Sequence, residues 1–197
     1  MVGTRGDGGW VRLRTGRFVA ERVAARPADP APVDVARLLA LPAPPFACTR
    51  RAHVGEYEVD GVRRVVETPT WPELPSPERE RARALVEAVA DDVRDAWVPG
   101  ASTGGRGDCT EHAEALVARA RAAGFAARTA AGRVYVDGAD GPALVLHAWA
   151  ELQLGGRWIP ADAALRQFPA DASHLRLGAW VPDLVAHDVP VRLLSLR

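Results

Sequence analysis

The chain has 197 residues, enough for one sizeable domain or for one domain with a modest extension. Its 25 basic and 25 acidic residues cancel, so no overall charge draws it towards nucleic acid, anionic lipid or a strongly acidic substrate, and we predict no nucleic-acid partner. Lysine is absent from the sequence, which excludes Schiff-base chemistry on a lysine side chain.

Two cysteines, Cys48 and Cys109, are too few for a disulfide framework and leave the compartment open. The segment Met1 to Gly9 is charged and Gly-rich and lacks the apolar stretch of a signal peptide, and no run of about 18 apolar residues occurs in the chain. We therefore predict no membrane span, with the cytoplasm as the default location. The oligomeric state stays open.

The N-terminal part of the chain predicts short strands and a hairpin. Trp10 to Val23 is rich in β-forming residues and is followed, after a Pro-rich stretch, by a short helical candidate from Val33 to Leu41. The segments His53 to Val59 and Val62 to Glu67 flank Asp60-Gly61, a dipeptide that suits the positive backbone angles of a tight turn. These two segments predict a β-hairpin.

A helix is predicted after this hairpin. The sequence Ser76-Pro77-Glu78 is typical of a helix start with Pro at the first position. Apolar residues then recur at helical spacing, at Leu85, Val86, Val89 and Val93. We predict a helix from about Pro77 to Trp97, ended by the Gly-rich loop from Pro99 to Gly107.

The segment after this loop carries the first reactive candidate. Asp108 and Glu111 stand three residues apart, as the N-cap and N3 residues of a capping box do, so Cys109 is predicted to open a helix that Gly124 closes. The N–H groups and dipole of a helix N-terminus favour a thiolate, the nucleophilic form of cysteine. The competing interpretation is that Cys109 is a small buried apolar residue, the commonest fate of a free cysteine.

A strand from Val145 to Leu154 is predicted to carry polar residues on one face. Alternation places His147, Trp149, Glu151 and Gln153 together on that face.

The dipeptide Gly155-Gly156 is a two-residue turn signal that pairs Leu154 with Arg157. Counting outward from this turn sets Trp149 opposite Asp162 and His147 diagonal to it, so a carboxylate can reach the imidazole. A histidine beside a carboxylate is the orienting half of a catalytic triad, and Cys109 is the natural nucleophile for it. Taken singly, His147 could be an ordinary polar residue and Asp162 the start of a turn.

These residues and their order resemble the transglutaminase-like superfamily, a papain-like fold that includes transglutaminases, peptide N-glycanases and many bacterial thiol hydrolases. The resemblance runs from about Ser76 to Leu177 and is specific as a set, although each piece is weak alone. The segments that carry it are Gly107 to Ala113, Ala122 to Arg128, His147 to Glu151, Gly156 to Asp162 and Ala170 to Arg176.

The resemblance implies an α+β fold, a papain/transglutaminase-like core with the cysteine at the N-terminus of a helix packed on an antiparallel sheet that carries the histidine and the acid. By position, the family's nucleophile, base and orienting acid fall on Cys109, His147 and Asp162, and no cofactor is required. One departure is Ala163, where many relatives have Pro; the change loosens a turn and removes no reactive group.

The predicted domain organisation has three parts. They are a β-rich N-terminal extension at 1–75, a catalytic core at 76–180 and a C-terminal segment at 181–197.

Several further residues are weaker candidates. Trp149, Trp97 and His112 are tentative cleft residues, although core packing competes for both tryptophans. His112 is also a rival partner for the thiolate or, with Cys109 and His147, a conceivable metal ligand, but a fourth ligand is not identifiable. The remaining histidines, His53, His174 and His187, have no partner at telling spacing and are predicted to be structural.

The expected function is thiol-mediated acyl transfer or hydrolysis on a peptide or protein amide through a Cys-His-Asp triad. Protease, deamidase and cross-linking activities stay open at this point. The alternative from another class is a catalytically silent module that keeps the fold and binds a peptide or protein.

Overall fold

A computed structural model describes residues 2–4, 10–14, 19–23, 39–46, 51–70, 76–95, 106–138, 141–179 and 189–197. The backbone divides into two compact units, Met1–Val33 and Asp34–Arg197. The elements of the first unit are β1 (Val2–Thr4), β2 (Trp10–Arg14) and β3 (Val19–Val23). The elements of the second are β4 (Leu41–Pro42), β5 (Val54–Val59), β6 (Val62–Glu67), α1 (Ser76–Asp92), β7 (Arg94–Asp95), β8 (Arg106–Gly107), α2 (Cys109–Ala122), β9 (Ala127–Gly138), β10 (Gly141–Leu154), β11 (Arg157–Ala161), β12 (His174–Ala179) and β13 (Val191–Leu196).

The first unit is an antiparallel sheet with the order β1-β2-β3. It includes the predicted β-rich segment from Trp10 to Val23, which is confirmed as two paired strands. The helical candidate from Val33 to Leu41 lies outside the described residues as far as residue 38, and residues 41–42 form the short strand β4.

The second unit is a mixed helix-and-sheet fold built on the antiparallel sheet β11-β10-β9-β12, with β4 pairing with the far end of β10. The two helices supply apolar residues to a core beneath β10 and β11. This core includes Val86 and Val89 of α1, Leu116 of α2 and Leu152 of β10, each fully buried. Burial of such side chains stabilises the fold by about 1.5–3 kcal/mol each.

A second sheet has the order β13-β5-β6 and contains the predicted hairpin, which is confirmed. Its turn residues Asp60 and Gly61 both have positive φ angles, of 50° and 75°, as the Asp-Gly signal requires. A separate core of buried residues, which includes Tyr57, Leu175 and Leu193, joins this sheet to β12. The hairpin therefore lies in the same compact unit as the segment 76–180.

The first helix is shorter than predicted. It begins at Ser76 but ends at Asp92, because Arg94–Asp95 leave the helix to form a two-residue parallel strand pair with Arg106–Gly107. This pairing brings the chain after α1 next to the segment that enters α2. No helix among the described residues is both long and apolar enough to cross a membrane.

Candidate active site

The helix α2 begins at Cys109 and has the predicted capping box at its N-terminus. The Asp108 side chain accepts a hydrogen bond from the Thr110 backbone N–H at 2.8 Å, and Glu111 accepts one from the Asp108 backbone N–H at 2.8 Å. The C-cap of the helix is Ala123. Gly124 follows it in the left-handed conformation, with a φ of 89°, so the predicted closing glycine lies one residue after the cap. Cys109 is half-buried and has a free thiol.

The hairpin β10–β11 has the predicted register. Leu154 pairs with Arg157 across the turn, and both turn glycines have positive φ angles, 56° at Gly155 and 80° at Gly156. The last pair of this strand ladder is Ala150 with Ala161. The predicted pair of Trp149 with Asp162, one step further, does not form.

Asp162 instead begins a tight turn. Its backbone exchanges two hydrogen bonds with Gln167, at 2.9 and 2.8 Å, and its side-chain Oδ1 accepts one from the Leu165 N–H at 3.1 Å. The turn was the competing interpretation of this residue, and it coexists with the contact to the histidine because the second oxygen of the carboxylate remains available. Asp162 is 1% exposed.

The side chains of His147 and Asp162 are in direct contact. His147 Nε2 lies 2.6 Å from Asp162 Oδ2, and both groups are buried. Cys109 interacts with the same imidazole through its side chain. The three residues proposed from the sequence therefore meet around one ring.

The pKa values of this pair shift in opposite directions. Burial alone would disfavour both charges, but the charge and hydrogen bond of Asp162, together with the Cys109 side chain, raise the pKa of His147 well above its usual range. The two imidazoles around it hold the pKa of Asp162 well below its usual range, again against the effect of burial. The pair is thus an imidazolium beside a carboxylate.

A second histidine, His174, binds the same carboxylate oxygen. Its Nε2 lies 2.9 Å from Asp162 Oδ2, and the residue is 4% exposed at the start of β12. The spacing in the sequence indicated no partner for His174, and the structure gives it one, Asp162. Sequence spacing could not indicate the contact, because β12 reaches the site by pairing with β9, where His174 faces Val134 forty residues away in the chain.

The loop before β12 holds His174 from its other side. The His174 Nδ1 lies 3.3 Å from Ser173 Oγ and 3.6 Å from Asp171 Oδ1. Asp171 also accepts hydrogen bonds from the backbone N–H groups of Ser173 at 3.0 Å and Ala52 at 3.1 Å. Burial raises the pKa of Asp171, but these donors and His174 outweigh it and lower the pKa to about 2.

The tentative cleft residues have distinct positions. Trp149 is 2% exposed and contacts both site histidines, with ring centroids 6.2 Å from His147 and 5.3 Å from His174. His112 is buried in the first turn of α2, and its Nδ1 lies 2.8 Å from the Asp108 carbonyl oxygen. Trp97 lies outside the described residues, as do Cys48 and His187, whereas His53 is exposed.

The group His147, Asp162 and His174 has the composition of a metal-ligand set, with ligand atoms within 4.8 Å of one another. It differs from the set considered from the sequence, which contained Cys109 and His112. Both Nε2 atoms point to one carboxylate oxygen at hydrogen-bond distances, so the three side chains already satisfy one another. The arrangement fits a hydrogen-bonded network better than an open metal site.

A shallow cavity of about 210 Å³ borders the site on the side of His174. Its walls include Trp149, Asp171 and His174, and it extends to the edge strand β6. Cys109 is not among the residues that line this cavity, so the cavity is not centred on the thiol.

The fold is a mixed helix-and-sheet arrangement with antiparallel sheets, the general class of the transglutaminase-like fold. Residues 73–163 match the family model of the transglutaminase-like superfamily. That match confirms the resemblance to the superfamily over this segment of the chain. It includes Cys109, His147 and Asp162 but ends before His174.

A structural neighbour is the crystal structure of a "putative cysteine protease" from Cytophaga hutchinsonii. The two chains are 19% identical, with a TM-score of 0.41, and the alignment covers 59% of this chain and 43% of that one. The chain thus spans less than half the length of this neighbour. No curated protein matches the chain in sequence.

Proposed function

We propose that the protein is a transglutaminase-like cysteine enzyme that forms an acyl-enzyme on Cys109 from a peptide or protein amide. One observation carries the proposal: the His147 ring contacts the Asp162 carboxylate at 2.6 Å and also interacts with the Cys109 side chain. An imidazole between a thiol and a buried carboxylate is the arrangement that activates a cysteine nucleophile.

The roles follow from the atoms in contact. Because Nε2 of His147 is bound to Asp162, Nδ1 is the nitrogen left to exchange a proton with Cys109. Asp162 orients the ring and stabilises its charged form. The position of Cys109 as the first residue of α2 favours its thiolate through the helix dipole and the backbone N–H groups.

The reaction then has two balanced steps. The thiolate attacks the amide carbonyl carbon, the C–N bond breaks, and His147 gives its proton to the departing amine, which leaves a thioester on Cys109. Water or a second amine attacks the thioester, His147 accepts a proton from it, and the thiolate leaves. The Cys109 backbone N–H is a candidate donor to the oxyanion in both steps.

Turnover of a library of glutamine-containing peptides tests the proposal. We expect the wild type to release ammonia or amine and to show, after rapid acid quench, a mass increase on the Cys109 peptide. Cys109→Ala should abolish both signals, and His147→Gln should reduce turnover by about 10³-fold or more. His53→Gln, at an exposed histidine, is the matched control and should behave as the wild type.

The same assay separates the remaining activities. Turnover in ¹⁸O-labelled water gives a labelled acid if water resolves the thioester, whereas an added amine appears in the product if the enzyme transfers the acyl group. Peptide binding without turnover, unchanged in Cys109→Ala, would support the silent binding module and contradict the proposal.

A further inference from the structure

The hydrogen bonds around His174 determine its protonation state. Asp162 offers only acceptor atoms when ionised, so His174 Nε2, 2.9 Å away, must carry a hydrogen. On the other side of the ring, Ser173 donates its hydroxyl hydrogen to Asp171 Oδ1 at 2.5 Å. Its Oγ therefore presents a lone pair to His174 Nδ1, as does Asp171 Oδ1.

Both ring nitrogens of His174 thus face acceptors, which only the doubly protonated imidazolium satisfies. The electrostatic environment agrees with this: burial opposes the charge, but hydrogen bonds to Asp162 and Asp171 outweigh burial and raise the pKa of His174. The residue is a buried cation between two buried carboxylates.

This cation has a consequence for Asp162. In the proposed cycle His147 gives its Nδ1 proton to the leaving amine and becomes neutral, and at that moment Asp162, with 1% exposure, would otherwise keep its hydrogen bonds but have no cation beside it. An unpaired buried charge is strongly unfavourable. A second, fixed imidazolium on the same oxygen keeps the carboxylate paired and in place.

We propose that His174 is a permanently protonated positioning residue that shares Asp162 with His147, so that Asp162 stays paired with a cation throughout the cycle. The inference rests on the proposed function, because it assigns His174 a part in the chemistry of Cys109. The contact of His174 in this arrangement is with Asp162, so it acts through Asp162 and through its charge.

The charge of His174 also acts on His147, whose ring centroid lies 5.8 Å away. A nearby positive charge lowers the pKa of an imidazolium and favours a thiolate. The charge of His174 therefore offsets part of the increase in the His147 pKa that Asp162 causes. Loss of this charge should move every proton equilibrium at the site to higher pH.

Other titratable groups lie on the strands and in the cavity next to His174. Tyr57 of β5 donates a hydrogen bond to the carbonyl of Ala172, and burial, with a smaller contribution from the charge of Asp171, raises the pKa of its phenol. From β9, the Arg133 guanidinium is held by the carbonyls of Leu39 and Leu144. The adjoining cavity also has charged residues in its walls, which are Arg64, Glu67, Glu151 and Arg176.

None of these groups replaces His174 as the partner of Asp162. Glu151 already pairs with Arg128 at 2.6 Å and with Arg176 at 3.2 Å. Among the described residues, the histidines are the cations in contact with Asp162.

A measurement on the unmodified protein tests the protonation state directly. In ¹⁵N–¹H correlation spectra of isotope-labelled wild type, the His174 ring is assigned by through-bond correlation with its own backbone resonances, because the Trp149 indole contacts both site histidines. We expect both ring nitrogens to show protonated shifts from pH 6 to pH 8. A His174 with one unprotonated nitrogen at pH 7 would overturn the inference, and this result needs no variant to fold.

The pH profile of Cys109 alkylation by iodoacetamide tests the effect on the site. We expect His174→Gln to move the midpoints of the profile upward by about one pH unit, the size expected for one charge about 6 Å away. His53→Gln should leave them unchanged. Slower alkylation with unmoved midpoints would mean that His174 only supports the fold, and it would overturn the inference.

The two proposals fail in distinguishable ways. If Cys109 has wild-type reactivity and turnover but the midpoints do not move in His174→Gln, the inference fails and the proposed function stands. If turnover survives Cys109→Ala, the proposed function fails whatever the spectra show.

Discussion

The Tyr57 hydroxyl on β5 donates a hydrogen bond to the backbone carbonyl of Ala172 at 2.7 Å, and both residues are fully buried. This bond connects the small sheet to the loop that precedes His174. Tyr57→Phe leaves that carbonyl without this donor inside the protein, which typically costs about 1–3 kcal/mol. We expect urea unfolding at pH 7 to show a lower midpoint with an unchanged slope.

Tyr135→Phe is the matched control for this change. The Tyr135 hydroxyl accepts a hydrogen bond from the Phe46 N–H at 3.2 Å in a half-buried position, where water can replace it. Tyr135→Phe should therefore lose less stability than Tyr57→Phe. Equal losses for the two variants would show that the Tyr57 bond has no special part in anchoring the loop.

The approach of β9 to β12 depends on the absence of a side chain at Gly132. A Cβ atom there would lie 1.9 Å from the carbonyl oxygen of Leu175, far inside contact distance, and the obstacle is backbone. Gly132→Ala should force β12 away from β9, at a cost of about 3 kcal/mol or more. Thermal or urea unfolding measures this loss.

Gly178→Ala is the control, because a Cβ at Gly178 meets nothing within 4 Å. We expect it to unfold within about 0.5 kcal/mol of the wild type. Similar stability of the two alanine variants would contradict the close packing of these strands.

Asp171 should stabilise the fold at neutral pH, and this contribution should be lost in acid. The pKa of this carboxyl is lowered to about 2, below its usual value, so its contribution is complete above about pH 4 and disappears as the pH falls towards 2. The shift corresponds to about 2 kcal/mol. Asp171→Asn should lose this amount at pH 7, and its unfolding free energy should depend less on pH between about 4 and 2.

Urea unfolding at a series of pH values from 2 to 7 measures this dependence, with Asp137→Asn, at an exposed carboxylate of β9, as the control. The control should keep the wild-type dependence. An Asp171→Asn profile parallel to the wild type over the whole range would be inconsistent with the lowered pKa.

The buried indole of Trp149 has no hydrogen-bond partner for its Nε1–H within the described part of the chain. Trp149→Phe removes this unsatisfied donor and keeps an aromatic ring next to both histidines. We expect the stability gained by removing this donor to offset most of the packing lost with the smaller ring. The free energy of unfolding should then change by no more than about 1 kcal/mol. Trp149→Ala, which leaves a cavity, should cost about 3–5 kcal/mol.

Both variants are compared by urea unfolding. A loss as large in Trp149→Phe as in Trp149→Ala would mean that the indole N–H has a partner that matters to stability.

Local signals in the sequence predicted much of the site. The capping box placed Cys109 at a helix start, and Gly155-Gly156 specified the hairpin register that brings the start of the Asp162 turn close to His147. These signals work because caps and two-residue turns are determined by neighbouring residues.

Long-range pairing was not predictable in the same way. His174 reaches Asp162 because β12 pairs with β9, and no tight turn joins those strands to define their register. Likewise, α1 ends at Asp92 because Arg94 and Asp95 pair with Arg106 and Gly107, twelve positions further along the chain, whereas the apolar pattern alone continued the helix.

The central claim is that Cys109 is activated by His147, and the rate of alkylation at pH 7 tests it most directly. Iodoacetamide labelling is followed by mass spectrometry at Cys109 and, as the internal reference, at Cys48 in the same molecules. We predict that Cys109 reacts at least about tenfold faster than Cys48 and that His147→Gln removes this advantage. Equal, slow labelling of both cysteines in the wild type would contradict the account.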